Sequence, residues 1–149
     1  MKALIDTNVL LDILLKRDYD QEALGQLQVM HYYNDVDLWA SAKSYCDCFY
    51  FLKKYQGAEV AYEGMKACLE WSNVCSLESG DIHSAAEQHW PDFEDCLINI
   101  SAEKIKADYL ITRDKKGFKQ SSIPHGDIAE FMAYVSETLH LEYAIEELE

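Results

Sequence analysis

The sequence predicts a three-layer α/β/α sandwich built on a mostly parallel sheet, and three observations carry that expectation. Residues 3–5 and 109–111 are short, wholly apolar runs, the composition of strands buried on both faces. Segments with apolar residues at helical spacing separate such runs, and strands joined through helices pair in parallel with helices covering the sheet. Asp6 and Asp114 follow the ends of these two runs, where open α/β sheets gather their ligands.

Taken in order, a first strand over residues 2–5 leads into a helical pattern reaching about residue 15, then a helix over 22–33 and a short strand over 37–39. Ser41 or Ser44 can cap the next helix, which places Tyr45, Phe49 and Leu52 on one side and runs to Tyr55. Gly57 separates it from a helix over 60–71, so the two read as a helical hairpin. A third strand is expected over 74–77, followed by a helix over 81–90. After Pro91 another helix repeats Leu97, Ser101 and Ile105, and the strand over 109–112 follows directly. A turn at Lys116 and Gly117 leads to Ile123 and Pro124, read as an edge strand, and then to a helix with Ile128, Met132 and Val135 on one side. The 139–149 stretch is an acidic, amphipathic tail: Leu141, Ile145 and Leu148 oppose Glu142, Glu146, Glu147 and Glu149, as in a packed terminal helix or a partner-binding arm.

With 149 residues, 49% of them hydrophobic, the chain suits one domain spanning 1–149 with a sizeable core. No apolar stretch approaches the ~20 residues of a membrane span, and the first aspartate comes too early for a signal peptide, so a cytoplasmic protein without membrane attachment is expected. The five cysteines lack CxxC pairing and read as reduced thiols, with no zinc site. A net charge of −14 argues against a general nucleic-acid coat, because phosphate binding is driven by Lys and Arg. Even so, Lys104, Lys106, Arg113, Lys115, Lys116 and Lys119 concentrate around Asp114, either as a solvated face or as a rim facing phosphate.

Four acids stand where strands end or helices begin: Asp6, Asp47, Asp95 and Asp114. Such carboxylates suit Mg²⁺, a hard ion that takes few protein oxygens and keeps places for water and substrate phosphate. Without a cation they would raise one another's pKa values or repel an anionic substrate. Ordinary structural roles compete for the same residues: Asp92 and Asp95 can cap a helix start beside Pro91, and Lys43 can pair with Asp47 four positions later. Asn8 and Thr112 can hydrogen-bond the acids and hold them in place. Asp12 is expected to face solvent or a helix-terminal neighbour. The five histidines are dispersed, and there is no GxSxG elbow, Walker loop or dinucleotide fingerprint.

LIDTNVLLD near the start, DFEDCLI followed at a helix length by ADYLITRDKKGF, and the later PHGDIAEFM together resemble the PIN-domain family of metal-dependent ribonucleases, especially the small VapC-type toxins. The resemblance implies a single PIN-like domain that binds Mg²⁺ or Mn²⁺ and hydrolyses RNA phosphodiester bonds, with an antitoxin covering the acid pocket and a homodimer as the typical assembly. Asp6, Asp95 and Asp114 match the family's metal-binding acids. Asp47 matches the fourth catalytic acid, where glutamate is more usual, and Asp92 an additional metal-binding acid. Arg113, Lys115 and Lys116 are the corresponding candidates for substrate binding. Two other readings stand beside this one: a non-enzymatic PIN-like module binding RNA or a protein, and an Mg²⁺ phosphohydrolase of the haloacid-dehalogenase type. The latter expects an aspartate where Asn8 stands.

Overall fold

A computed structural model of the chain describes residues 1–17 and 19–145. Among them are five strands: β1 (Lys2–Ile5), β2 (Asp37–Ser41), β3 (Asn73–Cys75), β4 (Tyr109–Ile111) and β5 (His125–Gly126). The helices are α1 (Thr7–Leu15), α2 (Gln21–Tyr32), α3 (Ala42–Gln56), α4 (Ala58–Trp71), α5 (Ser79–Gln88), α6 (Phe93–Lys104) and α7 (Ile128–Leu139). The strands lie in the order β3-β2-β1-β4-β5, and every pairing is parallel. The central strand β1 sets Leu4 beside Trp39 of β2 on one side and Leu110 of β4 on the other.

Alternation along these strands divides the core in two. Ala3, Ile5, Leu38, Ala40, Tyr109 and Ile111 face a core shared with α1, α2, α3, α4 and α7. Leu4 and Leu110 face the opposite layer, where Leu97, Ile98 and Ile100 of α6, Ala85 of α5 and Phe118 pack. Helices therefore cover both faces, as the apolar strands require, and the α/β/α expectation holds.

The local chemistry explains where the helices begin. Asp6, Asp20, Ser41, Asp92 and Asp127 are N-caps whose side chains accept backbone N–H groups, and Asp127 completes a capping box with Glu130. Gly57, at φ +90, divides α3 from α4. Tyr45 of α3 hydrogen-bonds Ser72 just beyond α4, which ties the hairpin together.

Three sequence expectations need correction. The edge strand forms at His125–Gly126, two residues later than expected: Pro124 has no N–H to give, although its carbonyl accepts the Leu110 N–H at 2.9 Å. The third strand is Asn73–Cys75, and Leu77 stands 37% exposed beyond it. The terminal helix does not begin at Leu141. Residues 141–144 are non-helical, Tyr143 is buried with its hydroxyl on Asp35 at 2.9 Å, and Ile145 packs over Gly25. These two contacts tie the stretch to α2 and to the turn that follows it. Glu146, Glu147, Leu148 and Glu149 lie outside the described residues.

Candidate active site

The topology sets β1 and β4 side by side, so the segments leaving their carboxyl ends meet. Asp6 caps α1, is 6% exposed, and is fixed at both oxygens: Oδ1 accepts the Thr7 N–H at 2.7 Å and Oδ2 the Thr112 hydroxyl at 2.8 Å. The Thr112 hydroxyl oxygen in turn accepts the Asp114 N–H at 3.0 Å, so one buried threonine positions both acids. Asp114 Oδ1 accepts the Gly117 N–H at 2.9 Å, closing the turn that follows β4. Asp95 enters from the first turn of α6, where its N–H is held by the cap Asp92 at 2.9 Å.

These side chains surround one small cavity of about 130 Å³, lined by Asp6, Asn8, Lys43, Asp47, Glu94, Asp95 and Asp114, with Thr7 and Ile98 completing its wall. Gly117 makes their approach possible: a Cβ there would stand 2.5 Å from Asp95 Oδ2 and 2.6 Å from Asp114 Oδ2. The crowding of negative charge shows in proton affinity. Asp95 is raised from 3.8 to about 6, first by burial and then by the charges of Asp92, Asp6, Asp114 and Glu94. Asp6 is also raised, because burial outweighs the hydrogen bonds from Thr112 and Thr7 that favour its ionised form.

The other expected residues fall into distinct positions. Asp47 reaches the cavity, half-exposed, and its Oδ2 accepts a hydrogen bond from Lys43 Nζ at 2.7 Å. The same ammonium lies 3.2 Å from Glu94 Oε1, joining α3 to α6 across the cavity. Burial lowers the pKa of Lys43, but its hydrogen bonds to Asp47 and Glu94 together raise it above the ordinary value. Asp92 is exposed and serves as the α6 cap, acting on the cavity through its charge on Asp95. Asn8 stands on the exposed rim, while the bonds to Asp6 come from Thr7 and Thr112.

Asp12 does not face solvent: it is 1% exposed inside α1, meeting the helix-terminal neighbour Arg17 at 3.2 Å, as one expectation had it, and also Arg113, whose Nε lies at 2.6 Å. A buried carboxylate requires such partners. Arg113 is thus engaged with Asp12 and Lys115 with Glu130 at 2.9 Å, while Lys116 is exposed. Lys104 pairs with Asp81 and Glu78, away from the cavity. Sequence reasoning missed Glu94, whose place beside Asp95 in the first turn of α6 was the available signal. It also missed the bridging role of Lys43, because a contact between α3 and α6 leaves no local trace.

Comparison with known proteins now bears on this arrangement. A PIN-domain family profile matches residues 2–116. The chain belongs to the PIN-domain family. PIN domains are generally metal-dependent nucleases, and membership supports that class here. Among solved structures, the chain is similar to VapBC2 from Rickettsia felis, bound to a DNA fragment from its promoter, with a TM-score of 0.66 and 17% identity over 85% of this chain and 98% of that one. It is also similar to Mycobacterium tuberculosis VapC20, a sarcin-ricin-loop-cleaving toxin, with a TM-score of 0.54 and 13% identity over 75% and 91% of the two chains. PAE2754 from Pyrobaculum aerophilum gives a TM-score of 0.61 and 13% identity over 93% and 97%. At these identities the likeness concerns the fold. No curated protein sequence matches the chain.

The PIN-family setting raises the question of whether a divalent ion fits. Among the described residues, no three His, Cys, Asp or Glu side chains form a closed metal-holding group. The donor chemistry nevertheless suits one. The cavity presents carboxylate oxygens, Thr112 and Thr7 hold Asp6 in place, and the raised proton affinity of Asp95 reflects burial first and then the neighbouring negative charges that a cation would offset. Thiol chemistry is disfavoured beside it: burial, followed by the nearby Cys68, Asp47 and Asp6, pushes Cys48 up to about 12.

Proposed function

We propose that this chain is a metal-dependent ribonuclease that hydrolyses RNA phosphodiester bonds and is the toxin component of a toxin-antitoxin pair. The observation carrying this reading is the meeting of Asp6, Asp95 and Asp114 at one cavity beyond the carboxyl ends of β1 and β4, in a chain of the PIN-domain family. These three acids are the proposed holders of Mg²⁺ or Mn²⁺. Bound there, the ion would supply positive charge for the scissile phosphate and a water acidified toward hydroxide.

The chain's own residues do the positioning. Thr112 and the Thr7 N–H orient both oxygens of Asp6, and Thr112 and the Gly117 N–H fix the Asp114 turn. Asp95 completes the set from α6, where Ile98 limits the depth of the cavity. Arg113, Lys115 and Lys116, the three cations expected to meet substrate, are all exposed, but Arg113 and Lys115 already pair with Asp12 and Glu130. Asp92 tunes Asp95 electrostatically from its cap position.

The VapBC comparison supports an antitoxin protein as the partner, and RNA as substrate and a homodimer as the working assembly are proposed on the sequence resemblance alone. Calorimetry with Mn²⁺ on wild type and Asp95→Asn, run alongside cleavage of pooled RNA, tests the reading. Binding and cleavage that both vanish in the variant support it. A folded wild type that binds no ion and cuts no RNA favours the second reading, a non-enzymatic PIN-like binding module, for which the engagement of Asp47 by Lys43 is the specific observation.

A further inference from the structure

We propose that Lys43 fills the place of a second cation in the acid cavity, neutralising Asp47 and Glu94 and contacting an RNA phosphate oxygen, so that Asp6, Asp95 and Asp114 hold a single divalent ion. The inference rests on the ribonuclease reading and names a further substrate-contacting residue for it.

Three features carry it. Lys43 lies in the cavity wall, and its ammonium meets two carboxylates from different helices, Asp47 of α3 at 2.7 Å and Glu94 of α6 at 3.2 Å. A divalent ion using those oxygens would compete with the ammonium for the same lone pairs and would meet its positive charge at close range. An ammonium also carries three N–H donors. One is given to Asp47 in a hydrogen bond and Glu94 lies within ion-pair reach, which leaves a donor for an anion entering the cavity, and the Lys43 side chain is 24% exposed. The acids of this cavity thus divide into a group anchored through Thr112, Thr7 and the α6 cap, and a group already matched by a resident charge.

The test counts ions. Calorimetric titration with Mn²⁺ alone should give one ion per chain for wild type and for Lys43→Arg, and two for Lys43→Met, in which Asp47 and Glu94 are released. Thermal melts followed by circular dichroism establish that each variant is folded. Two ions in wild type, or one in folded Lys43→Met, overturns the assignment while leaving the nuclease reading intact. No ion in wild type sinks the nuclease reading, and this inference with it. The phosphate contact has its own readout: binding of a non-cleavable 2′-O-methyl oligonucleotide, measured against salt concentration without metal. Removing one phosphate contact to a single strand lowers the log–log salt slope by about 0.7. An unchanged slope in Lys43→Met overturns the phosphate role.

Discussion

Replacing Asp95 by asparagine should stabilise the metal-free protein. In the folded chain its carboxyl is raised from 3.8 to about 6, chiefly by burial and then by Asp92, Asp6, Asp114 and Glu94, so ionising it costs more in the native state than in the unfolded one. The native state holds the proton more tightly between about pH 4 and pH 6. Stability therefore falls as pH rises through that window, and the full penalty is present at pH 7. A shift of this size is worth about 3 kcal/mol at ~1.36 kcal/mol per pKa unit. The cavity opens to water, and screening reduces this to about 1–2 kcal/mol. Asp95 also lies in the first turn of α6, where the helix dipole favours a carboxylate by up to about 1 kcal/mol. The net gain for Asp95→Asn is then about 1 kcal/mol, or ~3 °C in melting temperature for a domain of this size. The assay is denaturant unfolding in chelator at pH 7 and again near pH 4, where the gain should vanish because wild-type Asp95 is protonated. Added Mn²⁺ should reverse the order by stabilising wild type alone. A variant less stable than wild type at pH 7 in chelator, or a gain that persists unchanged at pH 4, would refute the electrostatic reasoning.

Two further substitutions probe the surroundings of the cavity. Gly117→Ala sets a methyl against Asp95 Oδ2 and Asp114 Oδ2, so Mn²⁺ affinity should fall by about 10- to 100-fold, the usual cost of disturbed ligand orientation, while the fold persists. Calorimetry reads this directly, and unchanged affinity would mean that the carboxylates shift freely. Asp12→Ala removes the buried partner of Arg17 and Arg113. Both guanidinium groups are partly exposed and can rehydrate, so the cost should be about 2 kcal/mol, below the ~3–5 kcal/mol of a pair buried on both sides. Urea unfolding measures it, and a loss under ~0.5 kcal/mol would show that the pair contributes little.

Residues 3–5 and 109–111 revealed their strands because burial on both faces leaves no room for polar side chains, and the order of the helices followed from apolar spacing. Capping residues such as Ser41 marked helix starts for the same local reason. Expectation failed where distant contacts decide the outcome. Residues 141–144 looked helical but are not, and Asp35 and Gly25, far away in sequence, hold Tyr143 and Ile145 against α2 and the turn that follows it. For Asp12 the neighbour at the end of α1, Arg17, was within reach of local reasoning, but Arg113, which reaches it from beyond β4, was not. Thr112 was legible as a support for the acids because it lies two positions before Asp114. Glu94 had a signal in its place beside Asp95, but the bridge through Lys43 had none, since helical periodicity does not tell which side of α6 turns toward α3.

The cavity joins the first and last turns of a long excursion: the hydroxyl that orients Asp6 belongs to Thr112, 106 positions downstream. Contacts of such range are slow to form, because the loop must close before the pairing rewards it. During synthesis, β1 emerges first and can find β2 early, but its other edge stays open until β4 has left the ribosome. A nascent or truncated chain ending before that strand has Asp6 without Thr112 or Asp114 beside it. The acid cavity is consequently incomplete until β4 and Asp114 have been made, and a frayed β1–β4 seam would part Asp6 from Thr112 before the remaining helices come apart.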